Sequence, residues 1–136
     1  MVTMVICVID PKTHELVVAS AGHPSMLVRD SSGQVESVGA SNTGIPLGVV
    51  DRQQIQETRI SIAAGSSCLL YTDGVTDAMN AEMDFYGSAR MMEFLATQSG
   101  TAGDLMDGLV ADIARFTGDH VQQHDDICIV CVQRCE

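Results

Sequence analysis

Tryptophan is absent from this sequence, and aromatic residues as a class make up only 4% of it. Any core it forms must therefore be aliphatic, with methionine filling irregular gaps. Basic residues are scarce as well: seven Lys plus Arg face eighteen Asp plus Glu, for a net charge of −11. A surface of that sign repels phosphate backbones and anionic lipid head groups, which argues against nucleic-acid or membrane binding. No apolar run approaches the ~18 residues that a membrane-spanning helix needs. The apolar opening, MVTMVICVID, has no basic leader and no small-residue cleavage site. It reads as a strand buried on both faces, not as a signal peptide.

What is present describes an ordinary globular chain. Its 136 residues, 46% hydrophobic and 18% charged, predict one domain spanning 1–136. A chain of this length buries roughly two-thirds of its unfolded surface and needs no disulfide or zinc staple. The five cysteines (Cys7, Cys68, Cys128, Cys131 and Cys135) are odd in number and sit mostly in β-type runs. Reduced thiols in a cytoplasmic protein fit that pattern better than a disulfide framework.

Strand-like runs come first. Residues 2–9 lead through DPKTHE into LVVASAG, then PSMLVRD, the turn SSGQ and a short VESVG. Two short turns in succession predict an antiparallel meander, because a parallel return needs a dozen or more residues. Residues 39–54 hold several glycines and a proline without a sustained period, and long loops in compact domains tend to be functional. IQETRISI alternates as a half-exposed strand, and SSCLLYT reads as a more buried one. A helix is predicted from about Ser88, with Met91, Met92 and Leu95 on its apolar stripe. A second carries Leu105, Leu109, Ile113 and Phe116, with Met106 and Val110 beside them. Thr101 and Asp104 form a capping-box pattern at its start. ICIVCV, entered from HDD, is the last strand.

The stretch LLYTDGVTDAMN runs an apolar strand into Asp73-Gly74 and then Asp77. If that strand and the one following Asp125-Asp126 are antiparallel neighbours, their acids meet at one rim. Close carboxylates repel, so one must be protonated or a cation must sit between them. Oxygen ligands without a matching Cys/His cluster favour Mg²⁺ or Mn²⁺ over zinc. Gly74 lets the backbone approach an ion closely, and its carbonyl is a candidate ligand. The competing reading is plain turn chemistry, since Asp is common at strand ends. Asp77 reads as a helix-start acid as well as a site neighbour. His23, at a strand break before Pro24, divides evenly between a site role and an inert turn residue. His124 beside the acid pair could orient a water or be an exposed loop residue, and His14 and His120 look like surface turn residues.

One motif is a decoy. Cys128 and Arg134 satisfy the Cys-x5-Arg spacing of cysteine-dependent phosphatases. That chemistry needs backbone N–H groups curled around phosphate ahead of a helix. The intervening Ile, Val, Cys and Val prefer an extended strand, in which Cys128 and Cys131 point to opposite faces.

Taken in order, MVTMVICVIDPKTHEL, ASAGHPSMLV, TGIPLGV, LLYTDGVTDAMN and HDDICIV resemble the bacterial SpoIIE/RsbU-type branch of the metal-dependent (PPM-type) protein serine/threonine phosphatases. The resemblance runs from the first residues to the last strand, and it is the order of the motifs that makes it specific. It implies an α+β fold: an antiparallel β-sandwich flanked by helices in an α-β-β-α stack. It implies a binuclear Mg²⁺ or Mn²⁺ centre whose bridging water attacks phosphoserine or phosphothreonine, so that no side-chain nucleophile is required. By motif, Asp73 and Asp125 match the family's metal-binding acids, with Asp126 where the family has Asp or Asn. His23 falls near an acid of more distant relatives, and TGIPLG corresponds to a loop beside the site. The implied role is signal transduction, by dephosphorylation of an anti-sigma-factor antagonist in sigma-factor regulation.

The sequence also departs from the family pattern. Cys128 stands where Thr is usual. The family's first metal motif, an Asp-x-Ser-Gly-His-Gly-like segment upstream of the Thr-Met strand, is not in this chain. The expectation is therefore a C-terminal, N-terminally truncated portion of the domain with half of the ligands. The alternative to catalysis is a regulatory docking module that keeps the fold without the full metal site. An uncovered sheet edge and apolar face would favour a homo-oligomer.

Overall fold

The computed structural model describes residues 1–118 and 125–135. Within them the chain forms β1 (Met4–Asp10), β2 (Glu15–Ala21), β3 (Met26–Arg29), β4 (Val35–Val38), β5 (Glu57–Ser61) and β6 (Ser67–Tyr71). The helices α1 (Gly87–Thr97) and α2 (Ala102–Thr117) follow, and β7 (Ile129–Gln133) closes the fold. One sheet has the order β1-β2-β5 and the other β4-β3-β6-β7. Every pairing within them is antiparallel.

The alternation read from the sequence decides which side chains meet. Leu16 and Val18 of β2 face Met26, Val38 and Cys68 of the second sheet, and this inter-sheet core is closed by Ile62. The opposite face of the second sheet, with Leu27, Leu69 and Tyr71, packs on Met91 and Leu95 of α1 and Leu109 and Ile113 of α2. Helices, sheet and sheet thus stack as three layers, and both helices lie on one side. The α2 stripe is as the spacing predicts, except that Val110 points to the outer face and is exposed. Its start carries the expected capping box: Asp104 Oδ2 accepts from the Thr101 amide at 2.8 Å, and the Asp104 amide donates to Thr101 Oγ1 at 3.2 Å. At the end of α1, Arg29 donates from Nε to the Leu95 carbonyl at 2.8 Å and from Nη2 to the Gln98 carbonyl. A cation there adds to the hydrogen bond that the Leu95 carbonyl accepts from the Gln98 amide and complements the negative end of the helix dipole.

Two expectations change. The single meander becomes two hairpins, β1–β2 and β3–β4, in different sheets. Gly22–Ser25 carries the chain across, because a four-residue link can turn the corner of a sandwich as readily as it can reverse a strand. At Gly22 φ is +69°, and a Cβ would stand 2.4 Å from Pro46 Cγ, so the corner requires glycine. Nor is β1 buried on both faces. Val5 and Cys7 turn inward, while Met4, Ile6 and Val8 are exposed. β1 is an edge strand, and among the described residues no element covers its outer face. His14 sits in the β1–β2 turn, half-buried with φ 58°, and His120 lies outside the described residues.

Two measurements check this packing. Leu109→Ala removes a side chain with no exposed surface, and unfolding by urea should lose about 2–5 kcal/mol. A loss under about 1 kcal/mol would contradict the helix–sheet core. Burial raises the thiol pKa of Cys68 to about 12, with smaller contributions from Cys7 and Cys131. Iodoacetamide at pH 8 should therefore modify the exposed Cys128 and Cys135 first and Cys68 last in peptide mass mapping, since only the thiolate reacts.

Candidate metal centre

The antiparallel pairing of β6 and β7 sets Tyr71 opposite Ile129. Residues after Tyr71 and residues before Ile129 therefore emerge at the same rim. Thr72 fastens the two segments together. Its amide donates to the Cys128 carbonyl at 3.0 Å. Its hydroxyl donates to the Asp126 carbonyl at 2.8 Å and accepts from the Cys128 amide at 2.9 Å. Two residues further on, a Cβ placed on Gly74 would stand 2.5 Å from the Asp126 carbonyl oxygen and 3.2 Å from that of Asp125. The backbone of the Asp-Gly pair thus lies directly against the backbone of the second acid pair. Residues far apart in sequence are brought together here, as their placement on neighbouring strands predicts.

Asp73 begins a compact turn. Its carbonyl accepts from the Asp77 amide at 2.8 Å and from Thr76 Oγ1 at 3.0 Å, and the Val75 amide donates to the Thr72 carbonyl at 3.0 Å. Asp73 and Asp77 are exposed, as are Asp125 and Asp126 on the facing segment, while Gly74 is buried between them. The helix-start reading of Asp77 is corrected: it lies inside this turn, ten residues before α1 begins at Gly87. The polar Asn80 lies between them, and its side chain and backbone bond Asp84 to form a second turn instead of a helix.

The same rim receives the crossover from the first sheet. Leu27 pairs with Leu69, so the start of β3 lies beside the end of β6. His23, half-buried in the link before β3, stands at that end, its carbonyl accepting from Ser20 Oγ at 3.0 Å. The TGIPLG loop is stitched there too: the Gly22 amide donates to Gly44, and Leu47 exchanges backbone hydrogen bonds of 2.8 and 2.9 Å with Val2. His124 lies outside the described residues.

The donors at this rim are carboxylates and carbonyls, which suit a hard divalent cation. The close approach at Gly74, where any side chain would collide, fits a place where backbone must come near an ion. Among the described residues, however, no group of three or more His, Cys, Asp or Glu side chains is gathered to hold a metal ion. The acid-bearing segments lie together at one end of the sandwich.

The decoy motif is excluded by the fold. β7 is extended and paired with β6 throughout. Arg134 donates from Nη1 to the Ile62 carbonyl at 2.7 Å, at the opposite end of the strand from Cys128. Sequence reasoning passed over Thr72, Tyr86 and Asp112. For Asp112 the signal was present: it falls on the apolar stripe of α2, seven residues after Leu105, and it is buried.

Gly74→Ala tests the apposition. The added methyl meets backbone, which cannot swing aside, and should cost about 1–3 kcal/mol in a urea titration. Gly103→Ala in the first turn of α2 meets only Thr101 Oγ1 at 3.6 Å and should be neutral or stabilising. Equal effects at the two positions would refute the close contact at Gly74.

Similarity to known proteins agrees with this architecture. Protein IcfG of Synechocystis is 27% identical over 132 residues, 97% of this chain and 20% of that protein. The SiaA-PP2C domain of Pseudomonas aeruginosa superposes with a TM-score of 0.78 at 23% identity, over 96% of this chain and 51% of that one. The phosphatase domain of the cell fate determinant SpoIIE from Bacillus subtilis, presoaked with Mn, gives a TM-score of 0.75 at 16% identity, over 98% of this chain and 56% of that one. The chain therefore has the fold of part of a PP2C-type phosphatase domain, and it spans about a fifth of its curated relative. The model of the family Stage II sporulation protein E (SpoIIE) matches residues 1–135, and the chain belongs to that family.

Proposed function

We propose that this chain is the C-terminal portion of a metal-dependent protein serine/threonine phosphatase domain, and that residues 1–136 belong to that one domain. The observation that carries the reading is the rim where Asp73-Gly74 packs on Asp125-Asp126. In this reading Asp73, Asp125 and the Gly74 carbonyl hold Mg²⁺ or Mn²⁺, and Asp77, Asp126, His23 and His124 surround the site. A manganese presoak of one similar phosphatase domain supports the choice of cation. A cation held there would activate water and would neutralise charge developing on the phosphoryl oxygens. The chain's own residues supply position: Thr72 ties the two acid-bearing segments, and the Asp73–Asp77 turn keeps its carboxylates at the surface, where a phosphorylated side chain can reach them.

The proposed substrate is a phosphoserine or phosphothreonine on a cytoplasmic regulatory protein of the anti-sigma-factor antagonist kind, as in the branch that the motifs resemble. The net charge of −11 supports a protein partner over nucleic acid. No described helix is long and apolar enough to cross a membrane. The absence of a complete ligand group among the described residues favours a second reading, a docking module that keeps the fold without catalysis.

Manganese separates the two. A ligand that binds only the folded state stabilises it by about 2.7 kcal/mol at a hundred times its Kd. Saturating Mn²⁺ should therefore raise the Tm by several degrees, and Asp73→Asn should abolish the rise. Release of phosphate from a phosphoserine peptide by this chain, or by the longer protein containing it, should depend on Mn²⁺ and on Asp73. If Mn²⁺ leaves the Tm unchanged and Asp73→Asn leaves phosphate release unchanged, catalysis at this rim is wrong.

A further inference from the structure

The Asp73–Asp77 turn is anchored at two places, and the metal-site reading uses only one of them. Thr72 holds its start against the segment before β7. Its far side is held by Tyr86: the Tyr86 amide donates to the Ala78 carbonyl at 2.7 Å, and the next amide, of Gly87, donates to the Thr76 carbonyl at 2.9 Å. Tyr86 is 2% exposed and packs in the helix-side core with Val75 and Ala78 of the same stretch.

The Tyr86 side chain ends on a buried charge. Its hydroxyl donates to Asp112 Oδ2 at 2.8 Å, and Asp112, on the core-facing stripe of α2, is 8% exposed. Arg115 donates to Asp112 Oδ1 at 2.9 Å, and Arg90 of α1 stands 3.5 Å from Oδ2. The Arg90 guanidinium lies 4.6 Å from the Phe116 ring centre and 5.4 Å from that of Tyr86, and the two rings meet edge to face. A leucine at position 112 would bury more easily than a carboxylate, because desolvating a charge is costly even when it is paired. What the carboxylate adds is direction: it accepts at a fixed point and holds the tyrosine, and through the tyrosine's backbone the turn, in one place.

We infer that Tyr86 and Asp112 are positioning residues for the candidate metal centre. Their buried hydrogen bond fixes the Asp73–Asp77 turn relative to Asp125 and so tunes cation affinity from the helical layer. The inference rests on the metal reading above, but the anchoring has a readout of its own, in the amides of Val75 and Asp77, which are hydrogen-bonded inside the turn.

Tyr86→Phe keeps the ring and removes the hydroxyl, and Leu105→Val on α2 serves as a control that loosens the core without touching the turn. Mn²⁺ titrated into each protein and followed by calorimetry should show half-saturation shifted upward roughly tenfold for Tyr86→Phe, the size seen when groups behind metal ligands are lost. Leu105→Val should leave it unchanged. Asp112→Asn, which still accepts a hydrogen bond, should fall between Tyr86→Phe and the parent. Hydrogen exchange at Val75 and Asp77 should quicken in Tyr86→Phe beyond its effect on the rest of the chain. If the parent protein takes up no Mn²⁺, the metal reading fails and the exchange data alone decide the anchoring. Exchange in Tyr86→Phe no faster at these amides than in Leu105→Val would overturn the inference. So would Mn²⁺ affinity equal to the parent's, or lost equally in both variants.

Discussion

Everything proposed for this chain depends on one backbone apposition, that of residues 72–74 against residues 125–128. A single threonine hydroxyl donates to the facing segment and accepts from it, closing the rim with one short side chain. Hydrogen bonds of this kind contribute only modestly to stability in net terms. Their value here is registration. They hold two acid-bearing segments, far apart in sequence, side by side at one rim.

The helical layer reinforces that rim from behind. α1 and α2 cover only one face of the second sheet, yet through Tyr86 they also grip the turn that leaves β6. A buried carboxylate shared between two arginines and a phenol is an expensive way to join helices, and its geometry is directional where an apolar contact would slide. The physical division is plain: Thr72 sets the distance between strands, and Tyr86 sets the height of the turn above them.

The other sheet is built differently. Its inner face is aliphatic and well filled, but Met4, Ile6 and Val8 stand exposed along β1. An edge strand with an uncovered apolar face is the feature that most invites another polypeptide segment. The acidic surface elsewhere opposes indiscriminate association, since like-charged copies repel.

The sequence by itself determined the elements. Apolar or alternating runs between turn residues located all seven described strands, the 3.6-residue stripe located both helices, and the Thr101–Asp104 pattern located a cap, because each signal lies within one segment. It also determined that acids would end one strand and precede another. Tertiary structure decided what those segments face. Gly22–Ser25 has the length of a hairpin turn, and only packing of Leu16 and Val18 on Met26 and Cys68 makes it a corner between sheets. β1 reads as doubly buried because its residues are apolar, but burial is a property of neighbours. The union of Tyr86 with Asp112, twenty-six residues apart on different elements, is invisible to any local pattern, since it exists only where two helices and a turn converge.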